Sequence, residues 1–256
     1  MASLYSNSPQ RIKLLMKNYY IAKVEGIREG TFDIEFINPD KYEEFYIYLK
    51  PKIGIYRDQI HIVEMKTTYK YNNRDHYFPI NPPKMRFLTK IYHTNIGPEG
   101  DICVDILKNH DNKWLPTYGF KEVIVSILVL LEFPNPLSAY NSQAGQHYQQ
   151  CEKRFTTNKH KYTDVEQLEI FKQEVFADYK TIADKQASTP LDSYIKYFPQ
   201  IIGQSKSKEE LDEIYAAYNR LIKPTVRAPI KKSEPSQRWK IFQKNKNLNK
   251  LDDEKS

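Results

Sequence analysis

The segment 82–136 constrains the fold of this chain most, because short motifs that interrupt regular structure recur along it. These motifs are, in order, Pro82-Pro83-Lys84, His93-Thr94-Asn95, Cys103, Trp114-Leu115-Pro116 and Pro134-Asn135-Pro136. Asn95 precedes Cys103 by eight positions. Three turn-forming residues lie between them: Gly97, Pro98 and Gly100. The pattern therefore predicts a tight loop that returns an amide towards a single thiol.

Length and composition set wider limits. At 256 residues the chain exceeds a usual single domain, so one core of roughly 150 residues with an appendage is expected. With only two cysteines, Cys103 and Cys151, a disulfide framework is not expected, which favours a reducing cytosol or nucleus. The N-terminus lacks the apolar stretch of a signal peptide, and the longest apolar run, 123–131, is about half of the ~20 residues of a membrane span. We therefore expect a soluble cytoplasmic or nuclear protein without membrane contact.

The positive charge of the chain is concentrated at its C-terminal end. Residues 223–256 contain ten lysines and arginines against four acids, which accounts for +6 of the formal net charge of +7. The preceding part is close to neutral, so the basic isoelectric point says little about what the folded region binds. Three prolines interrupt this basic tail, which predicts a flexible segment.

Hydrophobic periodicity predicts an α+β fold. Ser8 and Pro9 indicate the start of a first helix that extends to about residue 24. Four segments rich in β-branched and aromatic residues, 31–36, 44–49, 59–65 and 85–92, predict an antiparallel meander. Residues 67–75 interrupt this pattern as an insertion.

Helical patterns dominate the second half of the chain. Helices are predicted over 119–133 and 141–155, followed by one whose capping box is Thr163 and Glu166 and whose apolar face extends to Ile182. We assign 8–185 to this α+β core and 186–222 to a helical extension. In that extension, Pro199 breaks the apolar pattern of 191–202, and Ser207 and Glu210 form a second capping box. Residues 223–256 form the basic tail.

In their order and spacing, the motifs of 82–136 resemble the catalytic core of ubiquitin-conjugating enzymes (the UBC core domain), and the resemblance covers about 8–185. It implies a UBC-like fold with an N-terminal helix, a four-stranded antiparallel meander and C-terminal helices. It also implies that Cys103 accepts ubiquitin or a ubiquitin-like protein as a thioester from an activating enzyme. The enzyme then passes it to a lysine of a substrate protein, usually with a ubiquitin ligase. The activating enzyme consumes the ATP, so no cofactor or metal is expected in this chain.

The resemblance also assigns roles around the thiol. Asn95 would orient its loop and donate its side-chain amide to the oxyanion formed when the lysine attacks, although the same amide could simply brace the turn. Ser138 stands at the gate position beside the cysteine and Asp105 at the family's acidic position. Either could guide the incoming ammonium, and either could be solvated surface. His93 is expected to make structural hydrogen bonds.

Two groups of residues match the family's partner surfaces. Arg11, Lys13 and Lys17 lie on the polar side of the first helix, where the family meets its activating enzyme, or they form an ordinary solvated basic face. The loops that dock ring-type ligases correspond to Pro79, Ile80, Leu115 and Pro116. Ile80 and Leu115 differ from the residues common there, which predicts a narrower range of ligases.

Two other functions compete with an active enzyme. The first is a non-catalytic relative that binds ubiquitin as a partner subunit. It is favoured by Thr94 in place of the usual proline, by Ile80, and by Tyr56-Arg57-Asp58-Gln59 in place of a Tyr-x-Gly-Gly turn. The presence of Cys103 opposes it. The second is nucleic-acid binding through interleaved basic and aromatic tail residues. These are Arg238, Trp239, Lys240, Phe242 and Lys244. A solvated or docked tail is favoured over nucleic-acid binding.

Overall fold

The computed structural model describes residues 8–38, 40–57, 59–109, 113–187 and 207–222. The strands are β1 (Phe32–Asn38), β2 (Lys41–Leu49), β3 (His61–Lys66), β4 (Thr68–Tyr71), β5 (Arg74–Tyr77) and β6 (Lys84–Phe87). The helices are α1 (Pro9–Glu29), α2 (Phe120–Glu132), α3 (Ser142–Asn158), α4 (Val165–Val175), α5 (Ala177–Ala187) and α6 (Lys208–Ile222). The expected UBC-like α+β order of an N-terminal helix, a sheet and C-terminal helices is confirmed. No helix within these described ranges combines the length and the apolar character needed to cross a bilayer.

Helix α1 begins as predicted and ends later. The Ser8 hydroxyl accepts a hydrogen bond from the Arg11 backbone N–H at 3.2 Å, and Pro9 occupies the first turn. The helix continues past the expected end near residue 24, and Gly26 lies inside it at a position where a side chain would collide with Phe32. It ends at Gly30, whose φ of +65° is left-handed and favours glycine.

The main sheet is the predicted four-stranded antiparallel meander, in the order β1-β2-β3-β6. Its register places Ile34 opposite Ile47 and Ile47 opposite Val63, so one face of the sheet packs on the core. Strand β6 ends at Phe87 rather than near residue 92. The backbone N–H of Phe87 donates to the Gly100 carbonyl at 2.9 Å, so the chain leaves the sheet here to pair with the loop that carries the thiol.

The predicted insertion forms a separate hairpin of β4 and β5. Its two-residue turn consists of Asn72 and Asn73, both with positive φ, as hairpin turns of this length require. Arg11 fixes this hairpin to helix α1. Its side chain is fully buried, pairs with Glu43, and donates from Nη2 to the Thr67 carbonyl at 3.1 Å.

The prediction that Arg11 lies on a solvated face of α1 is therefore wrong. The helical pattern identifies Arg11 as polar, but it does not show that the inserted hairpin covers that position.

The second half of the fold contains one buried helix and several partly buried ones. Helix α2 provides much of the core through Phe120, Val123, Ile124, Ile127 and Leu131. The single helix predicted after Thr163 is two helices, α4 and α5, separated at the buried Phe176. The cap of α4 is Asp164 rather than Thr163, because the Asp164 carboxylate accepts from the Gln167 N–H at 3.0 Å.

Helix α5 belongs to the same core as the sheet. The side chain of Tyr179 is completely buried, and its hydroxyl donates to the Tyr92 carbonyl at 3.3 Å and lies 3.2 Å from the hydroxyl of Tyr56. Burial raises the pKa of the phenol groups of Tyr56 and Tyr179 above the usual value, so both remain neutral donors. These contacts connect the C-terminal helices to the segment that leads to the thiol.

Helix α6 begins with the predicted capping box, since the Ser207 N–H donates to Glu210 at 2.7 Å and the Glu210 N–H donates to the Ser207 hydroxyl at 3.2 Å. The chain divides into two units, Met1–Tyr218 and Asn219–Ser256, and α6 crosses their boundary. The predicted helical pattern of 191–202 and the basic tail 223–256 lie outside the described residues. The proposed domain limits at 185 and 222 remain predictions.

Candidate active site

Cys103 lies at the end of the predicted tight loop. The Gly97 N–H donates to the Asp101 carbonyl at 2.9 Å, which closes the turn. The Cys103 N–H then donates to the Asn95 carbonyl at 2.9 Å, so the backbones of these two residues are adjacent although eight positions separate them. This is the return of the chain that the spacing of the two residues predicts.

Gly100 of this loop is required by the loop geometry, and Gly97 is in close contact with a neighbouring ring. Gly100 has a φ of +85°, and a β-carbon there would collide with the Phe87 backbone. A β-carbon at Gly97 would lie 2.6 Å from the ring of Tyr140. The loop is therefore closely packed between strand β6 and the segment after α2, which fixes the position of Cys103.

The two cysteines are free thiols in different environments. Cys103 is half-buried, just before a short 3₁₀ turn, Asp105–Leu107. Cys151 lies in helix α3 with an exposed fraction of 3%, and burial raises the pKa of its thiol. Because solvent reaches only Cys103 to any extent, it is the thiol suited to covalent chemistry.

Asn95 is almost completely buried, and its carboxamide uses all of its hydrogen-bonding capacity. Nδ2 donates to the carbonyls of Asn135 and Ser138 at 2.8 and 3.0 Å. Oδ1 accepts from the Asn135 N–H at 2.9 Å and from the Thr94 hydroxyl at 2.6 Å. The carboxamide therefore braces the loop after α2. To donate to an oxyanion, one N–H of Nδ2 would have to give up its hydrogen bond to one of these carbonyls. The oxyanion role of Asn95 therefore stays a prediction.

His93 supports the same loop from the core. Its Nε2 donates to the Leu130 carbonyl at 3.0 Å, and its Nδ1 accepts from the Asn95 backbone N–H at 2.9 Å. Burial is the main cause that lowers the pKa of His93 to about 3, so the ring is neutral at physiological pH. Since both nitrogens are occupied, the ring acts in structure, as the sequence predicts, rather than in proton transfer.

The buried histidines make stability depend on pH. Burial also lowers the pKa of His61 to about 4. Below pH ~6.5 the unfolded chain takes up protons that folded His61 and His93 exclude, so the free energy of unfolding should fall as the pH falls, by up to ~1.4 kcal/mol per pH unit for each ring. Urea denaturation at pH 7, 6 and 5 measures this slope, and His93→Gln should reduce it. A free energy of unfolding that is flat over this interval would contradict the assignment.

Asp105 follows the thiol closely in the sequence, and Ser138 is connected to the thiol loop by a hydrogen bond. The Asp105 carboxylate pairs with Lys108 at 2.8 Å and with Lys113 at 2.9 Å, and these contacts lower its pKa to about 2. Ser138 is exposed at the end of the short turn Pro136–Ser138, and its carbonyl is the acceptor for Asn95. Asn95 thus links the segment that carries Cys103 to the segment that carries Ser138.

The predicted ligase loops meet each other. The Trp114 indole is buried and donates from Nε1 to the Pro79 carbonyl at 2.8 Å, which ties the two loops together. Ile80 and Leu115 are exposed by 59% and 42%, and Pro116 is also exposed. A groove of about 290 Å³ separates these loops from helix α1. Its lining includes Leu14, Lys17, Phe78, Pro79, Pro116 and Tyr118.

The basic residues of α1 have separate environments. Lys13 is exposed, Lys17 lines the groove, and Arg11 is buried beneath the hairpin. Of these three residues, which were predicted to face the activating enzyme, Lys13 and Lys17 remain available to a partner.

The sequence does not reveal the partners of Asn95. Its carboxamide depends on backbone groups of Asn135 and Ser138, which are 40 and 43 positions away, and on the Thr94 hydroxyl. The neighbouring Leu137 is a second omission, since it is almost fully exposed beside this loop. No local pattern indicates either feature, because both arise when the segment after α2 packs against the thiol loop.

The fold and the site define a class of protein. An N-terminal helix, a four-stranded antiparallel sheet and C-terminal helices, with a half-buried thiol on the loop after the sheet, are the arrangement expected of a UBC core domain. Residues 15–163 match the family model described as ubiquitin-conjugating enzyme, which is more than half of the chain. The chain belongs to the ubiquitin-conjugating enzyme family.

Several relatives are named as one type of this family. The chain is 49% identical over 69 residues to the ubiquitin-conjugating enzyme E2 S-A of Xenopus laevis, a match that covers 27% of this chain and 30% of the frog protein. It is 34% identical over 153 residues to the E2 S enzyme of Drosophila virilis, which covers 57% of this chain and 66% of the fly protein. The chain therefore spans less than two thirds of either relative.

The chain also matches a solved structure. The E2 domain of a Toxoplasma gondii ubiquitin-conjugating enzyme is 21% identical, with a TM-score of 0.46, and the match covers 69% of this chain and 96% of that one.

Proposed function

We propose that this chain is an active ubiquitin-conjugating enzyme. Cys103 accepts ubiquitin, or a ubiquitin-like protein, as a thioester from an activating enzyme and transfers it to a lysine of a substrate protein, usually with a ligase. The observation that carries the proposal is the half-buried free thiol of Cys103, held by a backbone hydrogen bond of 2.9 Å to Asn95 within the family's motif. The enzyme would act in the cytoplasm, the nucleus or both.

The proposed reaction has two steps, and each needs only one thiol of this chain. In charging, the Cys103 thiolate attacks the thioester carbon on the activating enzyme, a new carbon–sulfur bond forms, and the thiolate of the activating enzyme leaves. In transfer, the neutral amine of a lysine attacks the same carbon, a carbon–nitrogen bond forms, and the Cys103 thiolate leaves. The proton of the amine passes to solvent. The ATP is consumed earlier by the activating enzyme, so this chain needs no cofactor of its own.

The groups around Cys103 have proposed roles in transfer. Asn95 would keep the loop ordered and release one N–H towards the oxyanion. Asp105, with a pKa of about 2, is too weak a base to remove the proton of the amine, so its proposed role is electrostatic guidance of an ammonium. Its two lysine partners weaken that role until one of them moves. Ser138 would border the path of the incoming lysine.

The proposed partners follow from the exposed surfaces. Lys13 and Lys17 are the residues of α1 that we assign to the activating enzyme, and the buried Arg11 is withdrawn from that surface. We assign Pro79, Ile80, Leu115 and Pro116 to ligase contact, because Pro79 and Pro116 line the groove and their neighbours Ile80 and Leu115 are exposed. The names of the relatives support a type similar to E2 S enzymes.

The competing proposal is a non-catalytic ubiquitin-binding subunit. It is favoured by Thr94 and Ile80, which depart from the family's usual residues. It is opposed by the presence and partial exposure of Cys103, which a pure binding module does not need.

One charging experiment separates the two proposals. Incubation with an activating enzyme, ATP and ubiquitin should give an adduct that a thiol reductant removes, and Cys103→Ser should instead give a slower ester that resists the reductant. Cys151→Ser is the matched control and should charge like the unmodified chain, because Cys151 is buried. If ubiquitin-like proteins of several types all fail to charge the chain, the binding module is the better account.

A further inference from the structure

Thr94 connects three segments of the candidate site. It is completely buried between His93 and Asn95. Its carbonyl accepts from the N–H groups of Tyr140 and Asn141 at 2.8 and 2.9 Å, which fixes the start of helix α3 against the thiol loop. Its hydroxyl donates to Oδ1 of Asn95 at 2.6 Å. The side chain of Thr94 thus contacts the functional group of its neighbour.

Four hydrogen bonds hold the Asn95 carboxamide in one orientation, and the Thr94 hydroxyl donates one of them. Oδ1 receives two donors, the Thr94 hydroxyl and the Asn135 N–H, while Nδ2 faces the carbonyls of Asn135 and Ser138. Backbone N–H groups only donate and carbonyls only accept, so these partners define which end of the carboxamide is which. Without the hydroxyl, one side of Oδ1 would be buried without a donor. A proline, the residue usual at this position in the family, could not supply that donor.

We propose that Thr94 is a positioning residue that holds the Asn95 carboxamide for ubiquitin transfer. The inference rests on the proposed function. In transfer, one N–H of Asn95 must exchange a carbonyl for the oxyanion, and the hydroxyl of Thr94 keeps Oδ1 in place while Nδ2 changes partner. Thr94 itself does not contact the reacting atoms. Its loss should therefore slow transfer without changing how the substrate amine binds.

Two substitutions test the hydroxyl separately from the shape of the side chain. Thr94→Val keeps the branched shape and removes the donor, whereas Thr94→Ser keeps the donor. The variants are first charged with ubiquitin to the same extent, and discharge to free lysine is then measured over a range of lysine concentrations. Thr94→Val should lower the maximal rate about tenfold, the equivalent of one hydrogen bond, with an unchanged half-saturating lysine concentration. Thr94→Ser should discharge within about twofold of the unmodified enzyme, because the donor remains.

A combination with Asn95→Ala shows whether Thr94 acts through Asn95. If it does, Thr94→Val should have no further effect on discharge once the carboxamide is absent. A rate loss in that background equal to the loss in the unmodified enzyme would overturn the inference. So would a Thr94→Val enzyme that discharges normally, or a Thr94→Ser enzyme that is as slow as Thr94→Val.

NMR spectroscopy tests the positioning role of Thr94 without requiring ubiquitin transfer. It therefore distinguishes a failure of that role from a failure of the proposed function. In ¹⁵N NMR spectra of the full chain, the side-chain amide signals of Asn95 should shift or broaden in Thr94→Val and stay near their original positions in Thr94→Ser. Unchanged Asn95 signals in Thr94→Val would overturn the positioning role, even if the chain accepted no modifier. If no thioester forms but the signals respond as expected, the proposed function fails while the orientation of Asn95 by Thr94 stands.

Discussion

Asn95→Ala should slow the transfer of ubiquitin from Cys103 to lysine about 100-fold, the typical effect of removing one oxyanion donor. The substitution should also destabilise the fold, because the carboxamide makes four hydrogen bonds, three of which hold the loop after α2. Single-turnover discharge of the charged variant measures the first effect. Urea denaturation measures the second.

A matched control separates the oxyanion role from the bracing role. The Asn135 side chain accepts from the Leu137 N–H at 3.2 Å and orders the same loop without contacting the Asn95 carboxamide through its side chain. Asn135→Ala should loosen the loop but slow transfer only slightly. If it slows transfer as much as Asn95→Ala does, loop order alone explains the effect and the donation of an amide to the oxyanion is contradicted.

Arg11→Ala should lower the free energy of unfolding by about 3 kcal/mol. Arg11 is buried against Glu43 and against the start of the inserted hairpin, where it also donates to Thr68 Oγ1 at 2.8 Å. Its removal takes one donor each from the Glu43 carboxylate and the Thr67 carbonyl and opens a cavity. Denaturation in urea at pH 7 gives the value.

Lys13→Ala is the control for Arg11, because Lys13 is exposed two positions along the same helix. It should change stability by less than about 0.5 kcal/mol. Instead it should reduce the rate of charging by the activating enzyme, because Lys13 is part of the proposed contact surface. An Arg11→Ala protein as stable as Lys13→Ala would show that the hairpin does not depend on this anchor.

Much of the fold is predictable because its signals are local. Ser8 and the pair Ser207–Glu210 act within one helical turn, and the alternation along β1, β2 and β3 reflects burial on one face. The hairpin β4–β5, the burial of Arg11 and the division between α4 and α5 were missed. The burial of Arg11 depends on contacts between segments far apart in the chain, since 56 positions separate Arg11 from Thr67.

The candidate site also contains features that the sequence predicts and features that it does not. The turn that brings Cys103 to Asn95 is predictable from two residues and the glycines between them, since its hydrogen bonds span only a few positions. The bracing of Asn95 is not, because Asn135 and Ser138 reach it only after α2 has packed. Thr94 stands in place of the proline usual in the family, and in the folded protein its hydroxyl and carbonyl make hydrogen bonds within the site.

The most direct test of the central claim is to locate the covalent bond by mass spectrometry. After incubation with an activating enzyme, ATP and ubiquitin, the chain should gain the mass of one ubiquitin less one water, and a thiol reductant should reverse the gain. The adduct should be absent from Cys103→Ala and present in Cys151→Ala. An adduct that persists in Cys103→Ala, or a chain that stays uncharged with every ubiquitin-like protein, would contradict the account.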